Sequence, residues 1–228
     1  MRLNRTLTID GTALQVVNEK VRLQLNGAGS AIFTVVASEV KLHSLVLFDL
    51  GYAKQAAAQR FFIGLVVKVN PIGDKQSKVF CKELSHALAF KLPLDLRHVS
   101  LKEVLAKITE VTALEFAVPD EPYVKAKTAK FFNIGSGVQA IEAIARVFNV
   151  PDCMWQQQAG TVFVGRWADS RWATIDDLIL PNKLFDKQGP DNATLAAIPQ
   201  LRPGIRVNGK RLQSVTFEQN KMVITWNG

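Results

Sequence analysis

Residues Ala129–Trp167 read AKFFNIGSGVQAIEAIARVFNVPDCMWQQQAGTVFVGRW, and this stretch decides the fold. An opening strand leads to Ser136, a helix N-cap set between Gly135 and Gly137. Ile134, Val138, Ile141, Ile144, Ala145 and Phe148 then recur at helical spacing, giving one apolar face on a helix that ends near Asn149. Pro151 forbids continuation. Met154–Gln156 and Thr161–Gly165 pair as a hairpin around Gln157–Gly160.

Upstream lies a second capped helix. Ser100-Leu-Lys-Glu103 is a capping box, with Val99 and Val104 placed as its hydrophobic staple. Leu101, Val104, Leu105, Ile108 and Val111 form its stripe, and Ala113–Val118 reads as the strand that follows. Lys125–Lys130 reads as a solvated connection. The module is thus helix, strand, strand, helix and hairpin.

Both flanks are β-rich. Leu7–Ile9 and Leu14–Val16 flank Asp10-Gly11, a two-residue hairpin signal. Val21, Leu23 and Leu25 alternate with polar residues, and Ala31–Val36, Leu45–Leu50, Phe61–Val69 and Lys78–Glu83 continue the series. Short strands at this spacing predict a sandwich or barrel. Tyr52–Arg60 is alanine-rich and reads as a helical turn or loop. Residues 169–200 show no sustained period and read as a long excursion, an arm over a surface or toward a neighbour. After them Ile205–Val207, Asn208-Gly209, Leu212–Phe217 and Met222–Trp226 restore the strand pattern. The expected fold class is α+β: β-rich barrel-like domains with an inserted small helix-strand-strand-helix-hairpin domain. The expected organisation is 1–95, a barrel; 96–168, the small domain; and 169–228, the arm plus strands completing or forming a second barrel.

An apolar share of 48% with 21% charged residues among 228 fits a folded chain able to bury a core. Runs such as Phe61–Val67 are too short to span a bilayer, and Met1–Asp10 lacks the apolar region of a signal peptide, so a cytoplasmic folding location is expected. Net charge is +8, spread as excesses of +5, +1 and +2 over 1–95, 96–168 and 169–228. That dispersion describes a diffuse positive surface rather than a concentrated nucleic-acid reader.

Reactive constellations do not emerge. Cys81 and Cys153 sit in apolar surroundings and read as buried reduced thiols; His43, His86 and His98 have neither metal-ligand nor triad spacing. Gly135-Ser136-Gly137 lacks the lysine of a phosphate loop and reads as a cap. Asp120-Glu121 and Asp176-Asp177 are neighbours on extended chain, so their carboxylates diverge. Trp155, Trp167, Trp172 and Trp226, with Arg166 and Arg171 nearby, could stack bases, but packing is the default at strand positions. The sequence therefore assigns no catalytic, cofactor-binding or metal residue and no cofactor.

In order and spacing, several of these pieces resemble the baseplate hub proteins of contractile-tailed phages. That family includes the phage Mu hub, the late control protein D group and the N-terminal part of type VI secretion VgrG proteins. The resemblance is carried by Phe62–Val67 leading to Lys78–Leu84, the capped helix at Ser100 followed by Leu114–Phe116, Phe132–Gly165, and Ile198–Gly204 before the closing Asn-Gly hairpin. It implies a non-enzymatic homotrimer in the virion tail, assembled in the host cytoplasm. Its tube domains would continue the tail tube, carry a central spike, contact other baseplate and tape-measure proteins, and enclose a lumen for DNA ejection without sequence-specific binding. The chain is shorter than such hubs, which leaves the second full barrel open. The rival expectations are a basic nucleic-acid-binding module using strands and tryptophans, and a hydrolase with dispersed residues in a deep polar pocket.

Overall fold

A computed structural model describes residues 3–52 and 58–227. The first strands are β1 (Leu3–Ile9), β2 (Thr12–Leu14), β3 (Val16–Gln24), β4 (Ser30–Val35), β5 (Leu45–Tyr52), β6 (Gln59–Pro71) and β7 (Ser77–Glu83). A 3-10 turn at Leu84–Ala89 precedes β8 (Leu94–Ser100), α1 (Leu101–Thr112), β9 (Phe116–Ala117) and α2 (Pro122–Lys125). Next come β10 (Lys127–Asn133), α3 (Gly137–Val147), β11 (Cys153–Gln158) and β12 (Thr161–Arg166). The chain closes with β13 (Phe185–Gln188), β14 (Asn192–Ala196), β15 (Arg206–Val207), β16 (Lys210–Glu218) and β17 (Lys221–Trp226). The fold is α+β and β-rich, as the patterning predicts.

Two compact units share the chain: one takes Met1–Gln24, Ala28–Glu83 and Asp176–Gly228, the other Leu25–Gly27 and Leu84–Ile175. The first holds a 12-stranded sheet in the order β13-β14-β17-β16-β3-β4-β7-β6-β5-β1-β2, with β15 beside β16. Its strand pairings are all antiparallel, which two-residue turns permit. Asp10-Gly11 and Asn208-Gly209 both have positive φ at each residue, the primed geometry that matches strand twist.

The sheet curls on itself. β16 and β5 stand five strands apart in the order. In a flat sheet that separation would be roughly 24 Å. Yet the rings of Phe217 (β16) and Phe48 (β5) lie 6.1 Å apart, and Phe48 reaches Phe33 of β4 at 5.1 Å. Alternate residues supply this interior: Val21 and Leu23, Ala31 and Phe33, Val79 and Cys81, Val215 and Phe217 are all buried. A bulge between Phe48 and Asp49 in the β5–β6 register sets Phe61 and Phe62 both inside, against period two.

In the second unit, α1 and α3 pack with the β8–β10 ribbon and the β11-β12-β9 sheet around one core. Leu101, Val104, Leu105 and Ile108 of α1 share it with Phe131, Ile141, Ile144, Trp155 and Val164. Both helices start with complete capping boxes, Ser100 with Glu103 and Ser136 with Gln139.

Several expectations are corrected. Val111 is 69% exposed: the last turn of α1 runs past the core before Ala113 turns left-handed. Ile134 is 68% exposed, because it continues the outward row of β10 before α3 begins. The strand at Ala113–Val118 shortens to β9, and the connection expected at Lys125–Lys130 is instead the end of α2 and the start of β10. Residues 169–200, irregular by pattern, carry β13 and β14, whose polar and small residues mute the alternation that buries Ala193 and Leu195. The turn or loop expected at Tyr52–Arg60 falls largely on residues 53–57, outside the described residues; Gln59 and Arg60 open β6.

Candidate interaction surfaces

Among the described residues no group of three or more His, Cys, Asp and Glu is placed to hold a metal ion. No described helix is long and apolar enough to cross a membrane. Cys81 is buried and free, its thiol pushed up to about 12 by desolvation. Cys153 is half-buried and free, raised to about 11 by burial and Asp152. Both are therefore poor nucleophiles. His86 packs edge-on to Phe90. A groove of about 550 Å³ beside Tyr52 is lined by Leu184, Leu195, Ala197, Ile198 and Pro199 among others, and its described lining holds no carboxylate, imidazole, amine or thiol.

The polar candidates resolve into structural roles. Ser136 Oγ accepts the Gln139 N–H while the Gln139 side chain accepts the Ser136 N–H, so the glycine-flanked serine is a cap. Asp177 accepts the Gly209 N–H at 2.6 Å and steadies the β15–β16 turn. Asp120 pairs with Lys125, and Glu121 with Arg166 at 3.2 Å. Arg166 also forks onto Asp169 at 2.7 and 2.9 Å. Tyr123 donates to the same Asp169 carboxylate at 2.8 Å. The Arg166 hydrogen bonds are the largest influence holding the Asp169 carboxyl below its ordinary range. Pattern reading misses this four-residue knot, because its members come from α2 and its cap, β12, and the 3-10 turn Trp167–Asp169 that follows it.

All four tryptophans are buried. Trp172 Nε1–H donates to Gln156 at 2.7 Å and Trp226 Nε1–H to the Pro190 carbonyl at 2.8 Å. They pack, which is the default reading at strand positions, and are not free to serve as a stacking platform. The buried Glu83 carboxyl accepts the Gly29 N–H at 2.6 Å. Desolvation pushes it up to about 8 against that bond and the Arg202 charge.

Two faces stand out from this background. On the first unit, registers align outward residues in three rows over β3, β4, β7 and β6. These are Arg22–Ser30–Lys82, Lys20–Ile32–Phe80–Lys68 and Asn18–Thr34–Lys78–Asn70. Five cations thus share one face that the linear sequence scatters over Lys20 to Lys82. On the second unit, the ribbon of β8 and β10 and its flanking residues leave Pro93, Phe132 and Ile134 exposed. Lys130 there bonds Asp95 at 3.3 Å and lies over the Phe132 ring.

No family model matches the chain. Over 228 residues it is 28% identical to an uncharacterized 58.7 kDa protein in the lys 3′ region of Haemophilus phage HP1, covering 99% of this chain and 42% of that protein. The chain therefore spans about two-fifths of that relative's length. The 43 kDa tail protein of prophage MuSo2 from Shewanella oneidensis superposes with TM-score 0.75 at 10% identity, over 99% of this chain and 98% of that one. The chain has the fold of a phage tail protein. A tail protein from Neisseria meningitidis MC58 matches this tail-protein fold with TM-score 0.67 and 10% identity over 100% of this chain and 97% of its own. An Escherichia coli component of the type VI secretion system, structurally similar to the T4 tail proteins gp27 and gp5, matches with TM-score 0.65 and 12% identity over 96% and 75%.

Proposed function

We propose that this chain is a structural, non-enzymatic component of a phage tail: a baseplate hub that assembles as a homotrimer, joins the tail tube to the central spike and encloses the channel for DNA ejection. The observation that carries the reading is the fold match to the MuSo2 tail protein over nearly the whole of both chains. The phage relative adds a second line of support. The unit of Met1–Gln24, Ala28–Glu83 and Asp176–Gly228 would form the tube barrel, its last segment completing the sheet, and Leu84–Ile175 the small module. Tape-measure and other baseplate proteins would be further partners, and the virion tail the location.

The mechanism is interface geometry. Pro93, Phe132 and Ile134 expose apolar surface on a paired ribbon, and such surface is stabilised by burial in an assembly. A hub needs no reactive group, and Ser136, Asp120, Glu121 and Asp169 serve a helix cap or ion pairs.

Mass photometry at micromolar concentration, alone and after co-expression with the adjacent reading frames, tests the reading. The expected species has three times the 25.2 kDa chain mass. A strict monomer under both conditions overturns it.

A further inference from the structure

The geometry points to the outward face of β3, β4, β7 and β6 as a docking surface for the phosphate backbone of double-stranded nucleic acid. This goes beyond the adaptor reading, because the face is complete on one chain and holds whether or not copies assemble.

Lys20 is paired with Glu218 of the neighbouring β16 at 2.7 Å. Arg22, Lys68, Lys78 and Lys82 make no ion pair among the described residues, although ion pairs are frequent elsewhere on this chain. They are nonetheless held together. Arg22 and Lys82 share a row with only Ser30 between them. Two strand spacings put them roughly 10 Å apart. The ammonium groups of Lys68 and Lys78 both lie over the Phe80 ring, at 5.8 and 5.7 Å from its centroid. Like charges gathered on a rigid sheet repel one another, and an anionic partner relieves that repulsion.

The chemistry of the rows selects the anion. Their charged groups are donors only, which suits phosphate oxygens that only accept. A protein face would present donors as well as acceptors. Phe80 is capped by two lysines, so it is not free to stack an unpaired base, which disfavours single strands. Contacts to phosphates carry no sequence information, so binding through these cations is expected to be independent of sequence.

Four phosphate contacts predict a slope of log affinity against log salt of about −3.6, a loss of roughly 150-fold between about 50 and 200 mM. Fluorescence anisotropy with a labelled duplex of about 30 base pairs measures it on the full chain, with the oligomeric mass recorded on the same sample. Lys68→Gln/Lys78→Gln/Lys82→Gln is expected to weaken low-salt binding roughly tenfold or more and to bring the slope near about −1. Lys68→Gln alone, at an exposed strand position, is expected to fold and to reduce the slope by about one. Lys107→Gln, paired with Glu110 on α1, should change nothing. Absence of duplex binding at low salt (about 50 mM), an unchanged slope in Lys68→Gln, or tighter binding of poly-glutamate than of duplex each overturns the proposal. Loss of duplex binding by a sample that is still trimeric would remove this surface and leave the adaptor reading intact.

Discussion

The Glu83 carboxyl accepts the backbone N–H of Gly29 at 2.6 Å, tying the end of β7 to the turn that enters β4. A carboxyl so deeply buried pays for desolvation whenever it ionises, and its pKa rises from 4.5 to about 8. A folded-state value above the unfolded one means that the native state holds its proton longer. Stability from this group is full below about pH 4.5 and is lost as pH rises through about 8, by at most about 5 kcal/mol. Melting temperature should therefore fall between about pH 5 and 8.5, and Glu83→Gln, which keeps the acceptor oxygen, should flatten that fall. The lowered carboxyls of Asp10, Glu103, Asp120 and Asp169 lose their stabilising effect only in more acidic solution, outside this window. A flat wild-type profile would refute the assignment.

Gly64 faces a harder constraint. A Cβ at this position would lie 2.0 Å from the Lys82 carbonyl oxygen and 2.7 Å from its carbon, both backbone atoms that cannot swing away. Gly64→Ala must separate β6 from β7 in the middle of the curled sheet, so a loss above about 3 kcal/mol is expected, read as a shifted urea midpoint or insoluble expression. Gly73→Ala is the comparison. That position has open space but φ +67. Strain alone should there cost about 1 kcal/mol.

Much of this architecture is legible in the sequence because local physics and global fold agree. Ser100-Leu-Lys-Glu103 and Ser136 name two helix starts, and Asp10-Gly11 and Asn208-Gly209 name two turns, each from chemistry that acts within a few residues. What pattern cannot supply is register. Lys68, Lys78, Lys82 and Arg22 become one face only when β3, β4, β7 and β6 are aligned, and nothing in their spacing announces it. The same holds for Gly64, whose necessity comes from the backbone of Lys82 on the next strand. Ile134 misleads because one apolar residue fits the end of a strand row and the start of a helical stripe equally well.

The α1 cap offers a cleaner energetic test. Ser100 Oγ accepts the Glu103 N–H at 3.3 Å, and the Glu103 carboxylate accepts the Ser100 N–H at 2.7 Å, so both donors at the helix start are satisfied. Leu101, buried beside the cap, fixes the geometry against the core. Ser100→Ala removes the side-chain acceptor and should destabilise the protein by about 1 kcal/mol; Ser100→Asp should restore most of it. Chemical denaturation resolves the difference, and an unaffected Ser100→Ala variant would show that core packing alone sets the helix start.

The most informative dynamic measurement concerns β14. A surface arm would exchange its amide hydrogens rapidly, whereas an interior strand would not. β14 lies between β13 and β17, with Ala193 opposite Ile224 and Leu195 opposite Met222, and both Ala193 and Leu195 are buried in the core. Trp226 reinforces the position: its backbone N–H donates to the Asp191 carbonyl at 2.9 Å and its indole N–H to that of Pro190 at 2.8 Å. Hydrogen exchange followed by mass spectrometry should find peptides over 192–196 protected as strongly as those over 221–226, in the isolated chain and without any partner. Trp226→Phe keeps an aromatic ring but deletes the indole donor to the Pro190 carbonyl, and should raise exchange first at the amides of 191–192, before the other paired residues of β14 respond. Rapid exchange across 192–196 in the wild-type chain would mean that this strand is recruited only on assembly, and would return the segment to the role of an arm.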